Sequence, residues 1–102
     1  MGRAKYTAIT QRVKREVAER DSGLCILCGK VGMPNAHVVN RSQGGLGIAE
    51  NIVTLCAVCH AEMDNGWNGM VYRDACKDYL RGIYPDWNEE DVKFNKWKGV
   101  TE

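Results

Sequence analysis

The chain has 102 residues with 14 basic and 13 acidic side chains, and its formal charge of +1 gives no strong overall field to select partners. This length fits one small domain, and because such chains bury little more than about 60% of their unfolded surface, a metal staple often supplements the core. No apolar run approaches the ~20 residues that span a bilayer, and the first residues lack a signal-peptide core, so we expect a cytoplasmic protein without membrane contact.

Residues 1–23 predict a basic helical flank. Ile9, Val13 and Val17 recur every fourth residue, which is the spacing of one apolar helix face, and Asp21-Ser22-Gly23 ends the pattern. The opposite face is basic, and we expect it either to be solvated or to contact nucleic-acid phosphates. Its basic residues are Arg12, Lys14 and Arg15.

Residues 24–66 predict a strand, a loop, a second strand and a helix. The expected elements are a strand over 36–42, a flexible glycine-rich loop over 44–47, a strand over 52–55 and a helix from Ala57 to Asn65-Gly66. The first strand is indicated by the β-branched pair Val38 and Val39. We expect a left-handed residue to close the last turn of the helix.

Residues 67–102 predict a second helical flank. An apolar stripe over 71–80 indicates a helix that ends before Tyr84-Pro85 and buries Cys76 as a small hydrophobe. Asn88 predicts the cap of a last helix, with acidic residues first and Lys93, Lys96 and Lys98 late. We expect the three tryptophans to anchor these helices by packing. They are Trp67, Trp87 and Trp97.

Four of the five cysteines form two close pairs, Cys25-x2-Cys28 and Cys56-x2-Cys59. Each two-residue gap lets one tight turn aim two thiolates at one ion, so the pairs predict a tetrahedral structural Zn²⁺ site. The alternative is disulfide bonding. An odd number of cysteines in an expected reducing compartment argues against it.

Three segments together resemble the zinc-containing HNH endonucleases, most closely the small free-standing versions of phages and prophages. They are CILC at 25–28, AHVVNRSQGG at 36–45 and ENIVTLCAVCH at 50–60. The resemblance implies a small α+β fold, the ββα-metal hairpin and helix, braced by the four-cysteine zinc site. It also implies a metal-dependent DNA endonuclease in the host-cell cytoplasm, whose partners are DNA and phage packaging proteins such as terminase.

The resemblance assigns a role to each candidate site residue. His37 would be the general base that activates water, and Asn51 would fix the loop that presents His37 or help to ligate a metal. His60 would bind a catalytic divalent cation, Mg²⁺ or another such as Mn²⁺ or Ni²⁺. Asp64 lies one helical turn later and would face the same ion. Arg41 would grip a phosphate oxygen beside the cut.

One position departs from the family pattern. In many relatives the residue before the catalytic histidine ligates the metal, whereas here it is Ala36. The departure leaves two possibilities open: the cation is held weakly by the remaining ligands, or His37 is itself a ligand and another base exists. It also favours an alternative function, a zinc-braced nucleic-acid-binding module without catalysis. A one-zinc protein-interaction module is a third hypothesis, and a two-zinc RING or LIM domain would need eight ligands, more than the seven cysteines and histidines present.

With so short a chain and no evident recognition helix, we expect little intrinsic sequence specificity.

Overall fold

The computed structural model describes residues 4–94, which form a small α+β unit with a two-stranded antiparallel sheet. The helices and strands are α1 (Ala4–Thr7), α2 (Gln11–Asp21), β1 (Met33–His37), β2 (Ile52–Leu55), α3 (Ala57–Asn65) and α4 (Gly69–Ile83). Short 3₁₀ turns lie at Arg41–Gln43, Ala49–Asn51 and Glu89–Val92. The predicted α+β class is confirmed. Within residues 4–94, no helix is long and apolar enough to cross a membrane.

Helix α2 has the ends that its capping residues dictate. The Thr10 side chain accepts a hydrogen bond from the backbone N–H of Val13, and Ser22 closes the helix in the left-handed conformation with φ of 59°. Val17 is fully buried, and Val13 and Ile9 pack beside it. Ile9 precedes the helix, so the predicted apolar face is correct although its first member is not helical.

Strand β1 begins and ends earlier than predicted. It pairs with β2 so that Ala36 lies opposite Val53 and His37 opposite Ile52. The prediction of a strand over 36–42 is wrong from Val38 onward, because Val38 and Val39 are buried in a bend that leaves the sheet. Burial, which the β-branched pair did signal, is achieved there without strand pairing.

The glycine-rich loop is closely packed and not free, in contrast to the prediction. A Cβ at Gly45 would lie 1.7 Å from the carbonyl oxygen of Val39, and one at Gly47 would lie 2.1 Å from the carbonyl oxygen of Ala8. The Gly47 N–H also donates to the carbonyl of Tyr6 at 2.9 Å. These glycines are therefore required by close backbone approach.

Helix α3 has the predicted bounds but a different ending. It begins after Cys56, and its last residue is Asn65. Gly66 has φ of −85° and is extended, so the expected left-handed residue is absent there. Glycine is favoured there because a Cβ would lie 2.8 Å from the backbone carbonyl oxygen of Glu62, which cannot move aside as a side chain can.

Helix α4 buries Cys76 and Leu80 beneath the sheet, and the predicted burial of Cys76 is confirmed. After it, Asn88 caps the chain as predicted by accepting a hydrogen bond from Glu90 N–H, but only a 3₁₀ turn follows instead of a helix. Lys96 and Lys98 of the predicted helix lie outside the described residues.

The tryptophans differ in their environments. Trp87 packs against the core and donates its indole N–H to the carbonyl of Glu50 at 2.7 Å. Trp67 is fully exposed in the link between α3 and α4, so its predicted packing role is wrong. Trp97 lies outside the described residues.

A buried carboxylate holds α2 against the sheet and α4. Asp21 accepts hydrogen bonds from the Arg20 guanidinium, from the Thr54 N–H at 2.9 Å and from the Tyr79 hydroxyl. Burial opposes ionisation of Asp21, but the hydrogen bonds from Arg20 and Tyr79 keep the pKa of its carboxyl below the usual value. The charged carboxylate therefore links three elements.

Candidate metal centre and adjoining cleft

The four paired cysteines form one cluster, and their Sγ atoms all lie within 4.8 Å of one another. The Sγ atoms of Cys28 and Cys56 are 3.5 Å apart. Tetrahedral zinc with Zn–S bonds of about 2.3 Å places its sulfur atoms at similar separations. The cluster could thus hold a metal ion such as zinc, and all five cysteines are free thiols in the structure.

The two halves of the cluster come from different local structures. In the first, the Cys25 N–H donates to the carbonyl of Lys30 at 2.6 Å, and Gly29 turns the chain with φ of 82°. In the second, Cys56 caps α3, and its sulfur accepts a hydrogen bond from the Cys59 N–H at 3.4 Å. A helix N-terminus favours the thiolate form, which is the form that binds metal.

The thiols have unequal acidities. Burial opposes ionisation of Cys25, yet hydrogen bonds from the backbone N–H groups of Cys56, Leu27 and Cys28 lower the pKa of its thiol to about 6. Burial and the neighbouring thiols raise the pKa of Cys59. Thiolates at this spacing repel one another, so a cation would favour ionisation of all four.

Five of the predicted site residues line one open cleft of about 610 Å³. They are Lys14, His37, Arg41, His60 and Asp64. Asn35, Asn40 and Ser42 also line the cleft. Residues that are up to 50 positions apart in the sequence are thus brought together on one surface, with both histidines of the chain among them.

His37 stands at the end of β1 and is half-buried. Its Nε2 lies 2.8 Å from the carbonyl oxygen of Thr7. Because a carbonyl oxygen only accepts, Nε2 carries the proton of the neutral ring and Nδ1 is left as the basic atom. Burial, with a further contribution from the positive charge of Arg41, lowers the pKa of His37 below its usual 6.5. The imidazole is therefore neutral at neutral pH.

His60 and Asp64 form a pair one turn apart on α3. The His60 Nε2 and the Asp64 Oδ2 are 3.4 Å apart. Nitrogen and oxygen ligands each lie about 2.0–2.2 Å from a bound transition-metal ion, so a cation fits between these two atoms. Within residues 4–94, however, the cysteine cluster is the one group of three or more side chains that could hold a metal. This second position offers two ligands.

Asn51 lies outside the cleft lining and is fully buried. Its Oδ1 accepts from the Val39 N–H at 2.8 Å, and its Nδ2 donates to the carbonyls of Val39 and Leu46 at 3.1 and 2.9 Å. These contacts close the loop that follows His37.

Three other positions considered in the sequence do not line the cleft. Arg12 and Arg15 are exposed on α2 beside Lys14. Ala36 is fully buried, because successive side chains of a strand point to opposite faces and His37 occupies the cleft side. A ligand at position 36 would have to displace the core.

The sequence analysis did not identify Arg73 as part of the site. Arg73 on α4 contacts Asp64 and the backbone of His37. The sequence did contain an indication of this role. Arg73 shares a helix face with the buried Cys76 and Leu80, and a charged residue on a buried face needs polar partners.

Comparison of the chain with protein-family models and with curated proteins gives no match. The fold and the two sites define the class: a small α+β protein with a four-cysteine cluster that could bind a metal ion, and with an open cleft that carries histidine, carboxylate and basic side chains.

Proposed function

We propose that this protein is a metal-dependent DNA endonuclease of the HNH type, with Zn²⁺ on its four cysteines as a structural ion. The cleft carries the proposal: a neutral imidazole with a basic Nδ1, a histidine–carboxylate pair and two cations share one open surface. Phosphodiester hydrolysis needs a proton acceptor for water, charge stabilisation and a grip on phosphate.

In the proposed reaction, Nδ1 of His37 accepts a proton from a water molecule as the water oxygen attacks phosphorus. The bond from phosphorus to the 3′ oxygen breaks, that oxygen takes a proton from solvent, and the products carry a 5′-phosphate and a 3′-hydroxyl. Held by His60 and Asp64, a divalent cation such as Mg²⁺, Mn²⁺ or Ni²⁺ would supply positive charge at the reacting phosphate. The Thr7 carbonyl keeps the His37 ring in the required tautomer and orientation.

The basic side chains account for substrate binding. Arg41 is exposed at the cleft and suits a two-pronged contact with a phosphate, and Lys14 contributes a second cation. Arg12 and Arg15 extend the positive surface along α2. Contacts of this kind position DNA without reading its sequence. We therefore expect low intrinsic specificity, with sequence choice coming from a partner such as a genome-packaging protein.

The alternative, a zinc-braced nucleic-acid-binding module without catalysis, is favoured by one observation. Ala36 is built into the core at the position where many HNH enzymes place a metal ligand, and two ligands remain for the cation.

Plasmid nicking separates the two functions. Zinc-loaded protein is incubated with supercoiled plasmid in Mg²⁺, Mn²⁺, Ni²⁺ or EDTA, beside His37→Ala, His60→Ala and the surface control Asp78→Asn. We expect metal-dependent nicking that falls by about 10²-fold or more in both histidine variants and is unchanged in the control. Zinc content, measured in each variant before the divalent cation or EDTA is added, should be one ion per chain. A mobility shift of the plasmid without nicking in any metal would establish the binding module instead.

A further inference from the structure

Arg73 joins two elements that carry opposite halves of the cleft. Its Nη1 donates to the carbonyl of His37 at 3.2 Å and to the carbonyl of Val38, at the end of β1. Its Nη2 donates to the carbonyl of Met63 at 3.4 Å and to the Asp64 Oδ1 at 3.2 Å, at the end of α3. One guanidinium group therefore contacts four oxygen atoms on two elements.

Partial burial and hydrogen bonding hold this guanidinium in one position. The Arg73 side chain is 18% exposed, and α4 presents it from the same face as the buried Cys76 and Leu80. A buried cation must keep its partners, since leaving it unpaired is costly. The planar fork of arginine fixes the directions of its N–H groups, so the four acceptors are held at set positions relative to one another.

The contact with Asp64 also orients that carboxylate. Arg73 takes Oδ1, and the other oxygen, Oδ2, faces His60 at 3.4 Å. The free rotation of an exposed carboxylate is thereby restricted to the arrangement in which Oδ2 and the His60 Nε2 converge.

We propose that Arg73 is a positioning residue, which fixes the base His37 relative to the cation-binding pair His60 and Asp64. The inference rests on the proposed nuclease function and deepens it, because it adds a residue from α4, outside the HNH-like segment, to the catalytic apparatus. Arg73 acts through the backbone of β1 and the carboxylate of α3, and it does not line the cleft itself.

A lysine at this position separates geometry from charge. Lysine keeps the positive charge, but a single ammonium group cannot reproduce the planar fork that spans two elements. Arg73→Lys and Arg73→Gln are therefore compared with Arg81→Lys, a matched change on the same helix at a half-exposed residue paired with Asp78.

The first measurement is the plasmid-nicking rate at saturating Mn²⁺, at a temperature where circular dichroism shows each variant to be folded and zinc-loaded. A displacement of about 1 Å in an active site costs about 10²-fold in rate. We expect both Arg73 variants to lose about 10- to 100-fold by the same reasoning, with Arg81→Lys unchanged. A wild-type rate in folded Arg73→Lys would overturn the proposal, because charge alone would then suffice.

The second measurement does not depend on cleavage. The chain has two histidines, so their ring proton resonances are assigned by single variants. Mn²⁺ bound at His60 broadens nearby resonances with a steep dependence on distance. We expect the ratio of His37 to His60 broadening to change in Arg73→Lys and to stay at the wild-type value in Arg81→Lys. An unchanged ratio in Arg73→Lys would overturn the positioning role, whereas a changed ratio in a protein that cuts no DNA would overturn the nuclease and keep the positioning role.

Discussion

At the scale of single residues, the surroundings of His37 set the pH range in which its proposed role as a base is available. Its ring is half-buried, it donates to the Thr7 carbonyl, and Arg41 lies near enough to repel a second positive charge. Burial, Arg41 and His60 favour the neutral ring, and together they outweigh the hydrogen bond to Thr7 and the attraction of Asp64, so the pKa of His37 lies below 6.5.

The pH dependence of nicking should report this shift. A base works when it is unprotonated, so the rate should rise with pH through a midpoint below 6.5 and reach a plateau before neutrality. Arg41→Gln removes a neighbouring positive charge and should move the midpoint upward. The measurement is a pH–rate profile at saturating Mn²⁺. A wild-type midpoint at or above 6.5 would contradict the assigned environment of the base.

At the scale of elements, α2 is positioned by the buried Asp21 rather than by its apolar face alone. The carboxylate bridges Arg20 at the end of α2, Thr54 on β2 and Tyr79 on α4. Three elements thus depend on one charged side chain.

Asp21→Asn should destabilise the protein by about 3–5 kcal/mol, because it leaves the buried Arg20 without its counter-ion. The exposed pair of Asp78 and Arg81 supplies the control, since Asp78→Asn should cost no more than about 1 kcal/mol. The pKa of Asp21 is lowered, so its stabilisation is present above the ordinary value of 3.8 and is lost as the pH falls through the lowered pKa. Urea unfolding at neutral pH and at acid pH measures both effects. Equal losses of unfolding free energy in Asp21→Asn and Asp78→Asn would contradict the stabilising role of Asp21.

The segment before α2 and the glycine-rich loop also depend on each other. Gly47→Ala would place a Cβ 2.1 Å from the Ala8 carbonyl oxygen, so the segment that carries Thr7 must move away. We expect a loss of about 1–3 kcal/mol from overpacking and a reduced nicking rate, since the partner of His37 shifts.

The matched control for this change is Gly82→Ala, whose Cβ would meet no atom within 4 Å. Thermal unfolding and nicking of the two alanine variants provide the comparison. Wild-type stability and nicking rate of Gly47→Ala would show that the segment before α2 does not pack closely against the glycine-rich loop.

At the scale of the whole molecule, the cysteine cluster ties the segment before β1 to the start of α3. Among residues 4–94, Cys25, Cys56 and Cys59 also belong to the larger of two hydrophobic clusters, while Val17, Ala49 and Ile52 form the smaller one. The cluster is therefore part of the core of this small protein as well as a candidate metal site.

Removal of the metal should unfold the central part of the chain. Structural zinc contributes about 10–16 kcal/mol of apparent binding free energy in small domains, which matches or exceeds the ~5–15 kcal/mol by which domains are stable. A chelator, or the substitution Cys59→Ser, should abolish the folded circular dichroism signal and release the bound ion. Cys76→Ala is the control, because that thiol is buried outside the cluster and should keep the metal. A folded, metal-free protein would contradict the prediction.

The sequence by itself determined the features whose signals are local. The two-residue gaps specified the cysteine pairs, Asp21-Ser22-Gly23 specified where α2 ends, and Ala57 and Asn65 bounded α3. The residue types of the candidate site were also evident, because each chemistry needs particular side chains. Such signals depend on neighbours within a few positions, and tertiary packing did not override them.

Only the tertiary structure decided what depends on residues far apart in the chain. Val39 donates its N–H to the Asn51 side chain and does not continue the strand. The Ala8 carbonyl lies so close to Gly47 that a side chain does not fit there. The Thr7 carbonyl selects the protonated nitrogen of His37, and Arg73 joins β1 to α3. Backbone carbonyls have no residue-specific signal in a sequence, because every residue carries one. Which carbonyl meets which side chain is therefore set by the packing of helices and strands, and it became visible only in three dimensions.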